Sequence, residues 1–525
     1  MLGPQIILGL LVIVAFLAWV AARLKVPYPI LLVVGGFALS LAPHLPPLEL
    51  DPDVVFLLFL PPILYYASTH TSWRDFKLDL RPILLLAVGL VLFCTVAVAV
   101  AAHELIPGFG WAAAFALGAI VSPTDAVAAT AILQRLRVPR RVVVILEGES
   151  LVNDATALVV YQFAAAAAVT GTFSFPQAVL RFLIAGGGGI AVGLMVGMLA
   201  AWIRPRARDR AIDNVVSLLT PYVAYLPADY LHLSGVLAVV TCGIYVSRRL
   251  GRITTAQTRL SAYAIWDAVI FILNGLVFIL IGLQISRIAR GAAMFSLARA
   301  TGWPLVLGVV AIVARMAWVY AATYLPRSLS ARLRRRSPAL PRAQVFLIAW
   351  TQMRGVVSLA AALALPMAMN GRDRDICLIV TFGVILLTLV GQGLTLPAMI
   401  RALGVEAGVD ETADEEVTAR YLAALAAIER LDALGARDGQ AAAALQRLRA
   451  TYDDRVAYFI RMMNPDGEGL PGVIACETGE QAERQAIEAQ REMILRLRDQ
   501  ETISDDVLHL LEQELDHEES RLEEA

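Results

Sequence analysis

Residues 147–159 read EGESLVNDATALV and place carboxylates, a hydroxyl and an amide inside an otherwise apolar stretch. At 100° per residue these polar groups fall on two faces of a helix, with Glu147, Ser150 and Asp154 on one face and Glu149 and Asn153 on the other. The surrounding residues 142–169 are long enough to cross a bilayer. Because an ionisable group at mid-bilayer needs a partner or a water-filled path, the stretch predicts a membrane helix with a functional polar face.

The whole chain is too apolar for an ordinary soluble protein. Its 525 residues are 58% hydrophobic and 17% charged, and the mean hydropathy is +0.67. Since soluble proteins carry about 25% charged residues, the apolar excess indicates burial in a lipid bilayer. The four cysteines form no CxxC spacing, which argues against a disulfide scaffold, an iron–sulfur cluster or a structural zinc site. We expect the bilayer as partner, with no cofactor and no nucleic acid.

Thirteen apolar stretches are candidates for transmembrane helices, which satisfy their own backbone hydrogen bonds in lipid. The sequence therefore predicts an all-α, polytopic membrane protein. The stretches are 4–22, 28–43, 53–69, 82–103, 111–133, 142–169, 177–203, 211–227, 231–247, 262–286, 303–325, 343–369 and 375–399.

The distribution of charged residues predicts the orientation of the chain in the membrane. It also divides the chain into two parts. One set of alternate loops holds 23 Lys and Arg residues and the other set holds six, so we expect the N-terminus outside and the C-terminus in the cytoplasm. Residues 1–404, with net charge +16, form the expected transmembrane domain. Residues 405–525, with net charge −17, form the tail. Its composition predicts helices over 414–462 and 477–524, joined by a hinge at 464–472. These helices are expected to pack together or against the arginine-rich loops, and a regulatory role is the alternative.

The fifth apolar stretch contains a helix break. Pro123 should interrupt the helix near Ser122. Ser-Pro-Thr-Asp is also typical of a helix start, so a second half-helix is expected to begin at Ser122, with Asp125 near its positive end. Broken helices of this kind mark ion sites in secondary transporters. Asp125 is thus either a compensating charge or a direct cation ligand.

The positions of the other ionisable residues inside the spans suggest what each residue does. Asp154 lies deeper than Glu147 and is the candidate for exchanging a proton for a cation. Arg354, in the stretch WTQMRGVVSL, needs an anion, and Glu149 is its expected partner. A second buried pair is expected between Arg315 and Asp267.

Five motifs in register carry a family resemblance. They resemble the sodium/proton antiporters of the monovalent cation/proton antiporter superfamily, NhaP-like exchanger branch, over roughly residues 5–400. The motifs are LPPILYYAS (60–68), SPTDAVA (122–128), EGESLVNDATALV (147–159), IWDAVIFILNGLVFILIGLQ (265–284) and RGVVSLA (354–360). The resemblance implies an inverted-repeat fold with two broken, crossing helices, and a scaffold domain that forms a homodimer.

The resemblance also implies a cation site. In it, Asp154 is the shared cation and proton carboxylate, Ser150 is a ligand, and Thr124 and Asp125 are the contribution of the broken helix. Na+ or K+ would then bind at Asp154, Ser150 and Thr124. Asn153 before Asp154 is typical of electroneutral, one-for-one exchange.

Two supporting features follow from the same resemblance. Glu149 and Arg354 are the branch's structural ion pair. Tyr66 stands where the branch commonly has an acidic residue, so selectivity among Na+, K+ and Li+ stays open.

The expected function is therefore exchange of Na+ for H+ across the cell membrane. A K+/H+ or broad Na+/K+/Li+ antiporter is the alternative. A cation channel would show a pore-lining repeat or filter, and the sequence contains neither. An intramembrane enzyme would need a nucleophile and base or metal ligands, yet the chain has no HExxH motif, and its six histidines fall in loops, at span edges or in the tail.

Overall fold

The computed structural model describes most of the chain, and every regular element in it is a helix. The described residues are 4–24, 27–41, 52–125, 129–130, 132–133, 136, 138–172, 174–207, 209–292, 296–329, 340–405, 411–435, 442–463 and 480–524.

The apolar part of the chain folds as a bundle of helices. They are α1 (Pro4–Leu24), α2 (Tyr28–Ser40), α3 (Pro52–His70), α4 (Trp73–Leu78), α5 (Leu80–Leu105), α6 (Trp111–Val121), α7 (Arg140–Thr170), α8 (Phe175–Ile203), α9 (Arg210–Tyr230), α10 (Gly235–Ser247), α11 (Leu250–Ile253), α12 (Ala256–Ala292), α13 (Leu297–Leu329), α14 (Arg342–Trp350), α15 (Val356–Leu363) and α16 (Gly371–Leu403). The tail adds α17 (Glu411–Gly435), α18 (Ala442–Met463), α19 (Glu480–Asp499) and α20 (Asp505–Glu524).

Five of the described helices are long and apolar enough to cross a membrane. These stretches are Leu80–Leu105, Phe175–Arg206, Ala256–Gln284, Ala298–Ser328 and Gly371–Leu403, and several shorter apolar helices pack among them. The all-helical membrane fold is thus confirmed, while the count of thirteen spans stays a prediction.

Two helices are interrupted, and the interruptions meet. Residues 122–125 leave the helix after α6, and residues 351–355 separate α14 from α15. The backbone N–H of Asp125 donates to the carbonyl of Met353 at 2.7 Å, so the two unwound segments cross in contact. This confirms the expected pair of broken, crossing helices.

The expected helix restart at Ser122 is wrong. The Ser122 side chain donates to the Gly118 carbonyl at 2.7 Å and its backbone N–H donates to the same carbonyl at 3.0 Å, so Ser122 closes α6. A serine hydroxyl that bonds back one turn satisfies the end of the helix before it and no longer caps a helix after it. Thr124 and Asp125 are unwound, and the chain is helical again at residues 129–130.

A π-helical turn lies in two of the long helices next to the crossing, α5 and α16. In α5 the turn covers Leu85–Leu90, and the hydroxyl of Thr95 beyond it lies 3.0 Å from that of Ser122. In α16 the turn covers Leu387–Gln392 and contains Thr388, whose hydroxyl accepts from the backbone N–H of Arg354 at 3.3 Å. Each break is thereby supported by a threonine from a neighbouring helix.

The tail folds as helices that pack together through their own apolar residues. The helical stretch expected over 477–524 consists of two helices, α19 and α20. Glu501 adopts φ +58°, and the Ser504 hydroxyl accepts from the backbone N–H of Val507 at 3.4 Å, which starts α20 as a capping serine does. The expected hinge at 464–472 lies outside the described residues.

Candidate cation site

The polar residues of α7 hold the unwound segment after α6. The Thr124 carbonyl accepts from the Ser150 hydroxyl at 3.2 Å and the Asn153 amide at 3.1 Å. The Thr124 hydroxyl accepts from the Asn153 amide at 2.9 Å and donates to Glu149 at 3.1 Å. An unwound backbone inside a membrane protein is tolerated where side chains satisfy it, and α7 supplies them.

Close approach at the crossing depends on Gly355. A Cβ atom added to Gly355 would lie 2.6 Å from Cγ of Asp125, well inside van der Waals contact. Glycine therefore admits the Asp125 carboxylate against the second unwound segment.

Glu149 pairs with Arg315, which reaches it from α13. Both side chains are about 1–2% exposed, Nη2 of Arg315 lies 2.8 Å from Oε2 of Glu149, and Nη1 contacts Oε1. The same guanidinium donates to the Ile348 carbonyl near the end of α14 at 3.1 and 3.2 Å. This pair links α7, α13 and α14 behind the crossing.

The expected pairs Glu149–Arg354 and Arg315–Asp267 are therefore wrong. The Arg354 guanidinium donates to the Val121 carbonyl, and to the Gln352 carbonyl at 3.3 Å. It thus lies at the C-terminal end of α6, where a cation is favoured by the helix dipole. Sequence alone could list these charges but not the helices that face one another.

Asp267 instead meets Tyr66. The phenol donates to Oδ1 of Asp267 at 2.6 Å, and its ring lies 4.1 Å from that of His70. Where the branch commonly has a carboxylate on the helix that corresponds to α3, this chain has the phenol of Tyr66, which is bonded to a carboxylate on α12. This contact was missed because it joins residues 201 positions apart.

A cavity of about 500 Å³ brings most of the candidate residues together. Asp154, 7% exposed, lies in its wall. The wall also contains Tyr66, Thr124, Asp125, Glu147, Ser150 and, from other helices, Asn274 and Ser358. Glu149, Asn153 and Arg354 are buried behind it, each 1% exposed. The side-chain amide oxygen of Asn153, Oδ1, accepts no hydrogen bond from any described residue.

The arrangement offers a cation several uncharged and charged oxygens in the wall of the cavity. Carboxylate, hydroxyl and carbonyl oxygens are hard ligands that suit hard cations. Asp154 can also hold a proton at the same place.

Comparisons with known proteins identify the family of the chain. The family model for transmembrane sodium/hydrogen exchangers matches residues 11–402. An uncharacterised Na+/H+ exchanger of Mycobacterium bovis is 36% identical over 533 residues, which cover 98% of this chain and 97% of the relative. A sodium, potassium, lithium and rubidium/H+ antiporter of Bacillus pumilus is 33% identical over 400 residues, which cover 73% of this chain and 59% of that one.

A solved structure shares the fold. The sodium proton antiporter of Methanocaldococcus jannaschii superposes with a TM-score of 0.60, covering 78% of this chain and 100% of that one. At 19% identity this likeness shows the fold alone. The family match over the membrane helices is direct, and the resemblance inferred from the five motifs is confirmed: the chain belongs to the transmembrane sodium/hydrogen exchanger family.

Proposed function

We propose that the protein exchanges a monovalent cation, Na+ in the first instance, for H+, with Asp154 carrying either ion in turn. The observation that supports this most is the position of Asp154 in the cavity wall beside the unwound Thr124–Asp125 segment. Ser150 and Thr124 supply neighbouring oxygens for the cation. Because a proton and a cation compete for one carboxylate, binding of one releases the other.

Exchange would then be one for one and electroneutral. Asn153 donates to the Thr124 carbonyl and hydroxyl, so in this scheme it positions the unwound segment and carries no exchangeable charge. A membrane potential set with K+ and valinomycin should leave the equilibrium position of Na+/H+ exchange unchanged. A strong shift would show net charge movement and contradict this part of the proposal.

A broader ion range is the second candidate. The Bacillus pumilus relative is named as an antiporter of sodium, potassium, lithium and rubidium. In this chain Tyr66 replaces the expected acid in the cavity wall, and its phenol is bonded to Asp267. Fewer free carboxylates around the cation should weaken discrimination in favour of small, strongly hydrated ions.

We also propose the orientation and assembly that the sequence predicts. The excess of lysine and arginine in one set of loops supports a cytoplasmic position for the tail side, with the protein in the plasma membrane. Residues 405–525 form the cytoplasmic tail, and a second copy of the chain is the expected partner in the membrane.

The test is proteoliposome transport with a lumenal pH dye and pulses of Na+, K+ and Li+. Asp154→Asn keeps the shape of the side chain and removes the exchangeable charge, so cation-driven proton movement should be lost. Glu104→Gln, at an exposed carboxylate near the end of α5, is the matched control and should transport normally. Wild-type exchange by a folded Asp154→Asn protein would remove Asp154 from the mechanism.

A further inference from the structure

A second cavity, of about 160 Å³, lies between the beginnings of α5, α7 and α14 and the end of α13. Arg140, in the first turn of α7, donates to the Ser504 hydroxyl of the tail at 2.6 Å, so this is the end of the bundle that the tail contacts. The wall is mostly apolar, but it contains Arg81, Arg141 and Arg327. Three guanidinium groups from three helices therefore line one small space.

One carboxylate accompanies these guanidiniums among the described residues. Asp79, between α4 and α5, accepts from Nε and Nη2 of Arg141 at distances between 2.7 and 3.1 Å and fixes that side chain. The Arg327 guanidinium donates to the Thr323 carbonyl and lies within electrostatic range of Arg81 and Arg141. Because a carbonyl carries no net charge, the cluster keeps two positive charges after Asp79 is counted.

The excess of positive charge continues along the neighbouring chain. The described wall of the cavity contains no acidic residue. Residues 330–339, which connect α13 to the chain before α14, read SARLRRRSPA and add four arginines and no acidic residue. Since like charges repel more strongly where water is partly excluded, this cluster should attract an anion.

The arrangement of the donors indicates which anion fits. A guanidinium is planar and donates paired hydrogen bonds to carboxylate or phosphate oxygens. A carboxylate has one charge and two oxygens in a plane, whereas a phosphoryl group carries one or two charges and directs its oxygens tetrahedrally. Arg81 and Arg327 lie on different helices, α5 and α13, so a phosphoryl group suits them better. Basic cavities between membrane helices bind such groups in lipid headgroups.

We propose that this cavity binds a phosphoryl group, with Arg81 and Arg327 donating to its oxygens and Arg141 adding to the positive field. The group comes either from the headgroup of an anionic lipid or from phosphate dissolved on the tail side, and both sources present the same oxygens to the same arginines. Bound there, it links α5 to α13. It also lies beside Ile348 of the wall, whose carbonyl accepts from Arg315.

Footprinting of arginines locates the site and identifies the source. Phenylglyoxal modifies guanidinium groups, and peptide mass spectrometry follows each arginine in the full chain, delipidated in detergent. One arm adds phosphatidylglycerol, with zwitterionic phosphatidylcholine as its control. The other adds sodium phosphate, with sodium chloride at equal Na+ concentration as its control. A bound phosphoryl group should slow modification of Arg81 and Arg327 about fivefold or more and leave exposed Arg401, at the end of α16, unchanged.

The pattern of protection decides between the sources. Protection by phosphatidylglycerol alone assigns the site to a lipid headgroup, and protection by phosphate, with or without the lipid, assigns it to the free anion. Absence of protection in both arms, or equal protection of Arg401, would overturn the proposal. These measurements involve no transport, so their outcome is independent of the proposed antiport.

Variants then test the two arginines by direct binding. In whichever arm protects, Arg81→Gln and Arg327→Gln should each weaken binding about tenfold, since each removes charged hydrogen bonds to the ligand. The dissociation constant is measured by native mass spectrometry for the lipid and from the shift of the unfolding midpoint for phosphate. Arg401→Gln is the matched control, because Arg401 lines neither cavity, and it should bind as the wild type does. Equal affinities in all three variants would overturn the assignment.

Asp79→Asn provides a test that loss of folding cannot imitate. The change keeps the shape of the side chain and removes the carboxylate that neutralises Arg141, whose side chain is 38% exposed and stays solvated. The added positive charge should tighten binding about threefold or more. Unchanged or weaker binding by Asp79→Asn, at a wild-type unfolding midpoint, would contradict an anion site formed by these arginines.

Discussion

Glu149 and Arg315 form a buried ion pair beside the cavity. Removal of either side chain would leave the other as a buried charge without its partner. Arg315→Ala should cost about 3–5 kcal/mol, seen as poor expression and a lower unfolding midpoint in detergent. Glu149→Gln should recover part of that loss in the Arg315→Ala background. It should recover nothing in Arg354→Ala, because Arg354 bonds to backbone carbonyls.

Arg181→Ala, at an exposed position on α8, is the control for loss of an arginine as such and should match the wild type. Rescue of Arg354→Ala by Glu149→Gln, with no rescue of Arg315→Ala, would restore the pairing expected from the sequence.

At this scale the sequence predicted which face of a helix each polar residue occupies better than which residues are in contact. The 3.6-residue period of α7 separates Ser150 and Asp154 from Glu149, and the structure places the first two in the cavity wall and the third behind it. Helical period is a local property and can be read directly. The partners of Glu149 and Asp267 lie on α13 and α3, and their choice depends on how distant helices pack.

At the scale of the element, the crossing needs a residue without a side chain at position 355. Gly355→Ala should push the Asp125 carboxylate away from the second unwound segment and lower the exchange rate by about tenfold or more, while the helices remain folded. Gly371→Ala is the matched control, since an added Cβ there meets nothing within 4 Å. The measurement is the initial rate of dye response to Na+, beside the unfolding midpoint of each variant. Normal transport by Gly355→Ala would mean that the crossing tolerates displacement of Asp125.

The breaks themselves were partly predictable. Pro123 signals the end of α6, because proline disfavours helix in the residue before it. The Ser-Pro-Thr-Asp pattern is ambiguous, since its serine can cap a following helix or bond back to the preceding one, and here Ser122 bonds back to Gly118. The break at 351–355 contains no proline, and only the family resemblance predicted it.

At the scale of the whole molecule, the tail is joined to the membrane helices through Asp516. Its carboxylate contacts Arg259 of α12 and lies 2.6 Å from Arg491 of α19. Asp516→Ala would leave the buried guanidinium of Arg259 without its carboxylate, whereas Arg491 keeps Glu519 as a partner. The variant should weaken the docking of α20 by about 3–5 kcal/mol, raising hydrogen exchange throughout this helix. Glu514→Ala, which removes an exposed pair with Arg420 within the tail, should leave hydrogen exchange in α20 nearly unchanged. Similar protection of α20 in the two variants would show that Asp516 does not anchor the tail.

The buried guanidinium of Arg354 has an electrostatic consequence for transit. Because Arg315 neutralises Glu149, the formal charges left around the crossing are those of Asp125, Asp154 and Arg354, and they leave one unit of negative charge when both carboxylates are ionised. The self-energy of a charge in a low-dielectric interior grows as the square of that charge. One proton or one alkali ion brings the crossing to neutrality, whereas an empty crossing and a doubly loaded one both remain charged. In the proposed exchange, a crossing that holds a single proton or alkali ion would therefore have the lowest barrier to the change of access, and uncoupled leak would be disfavoured for the same reason.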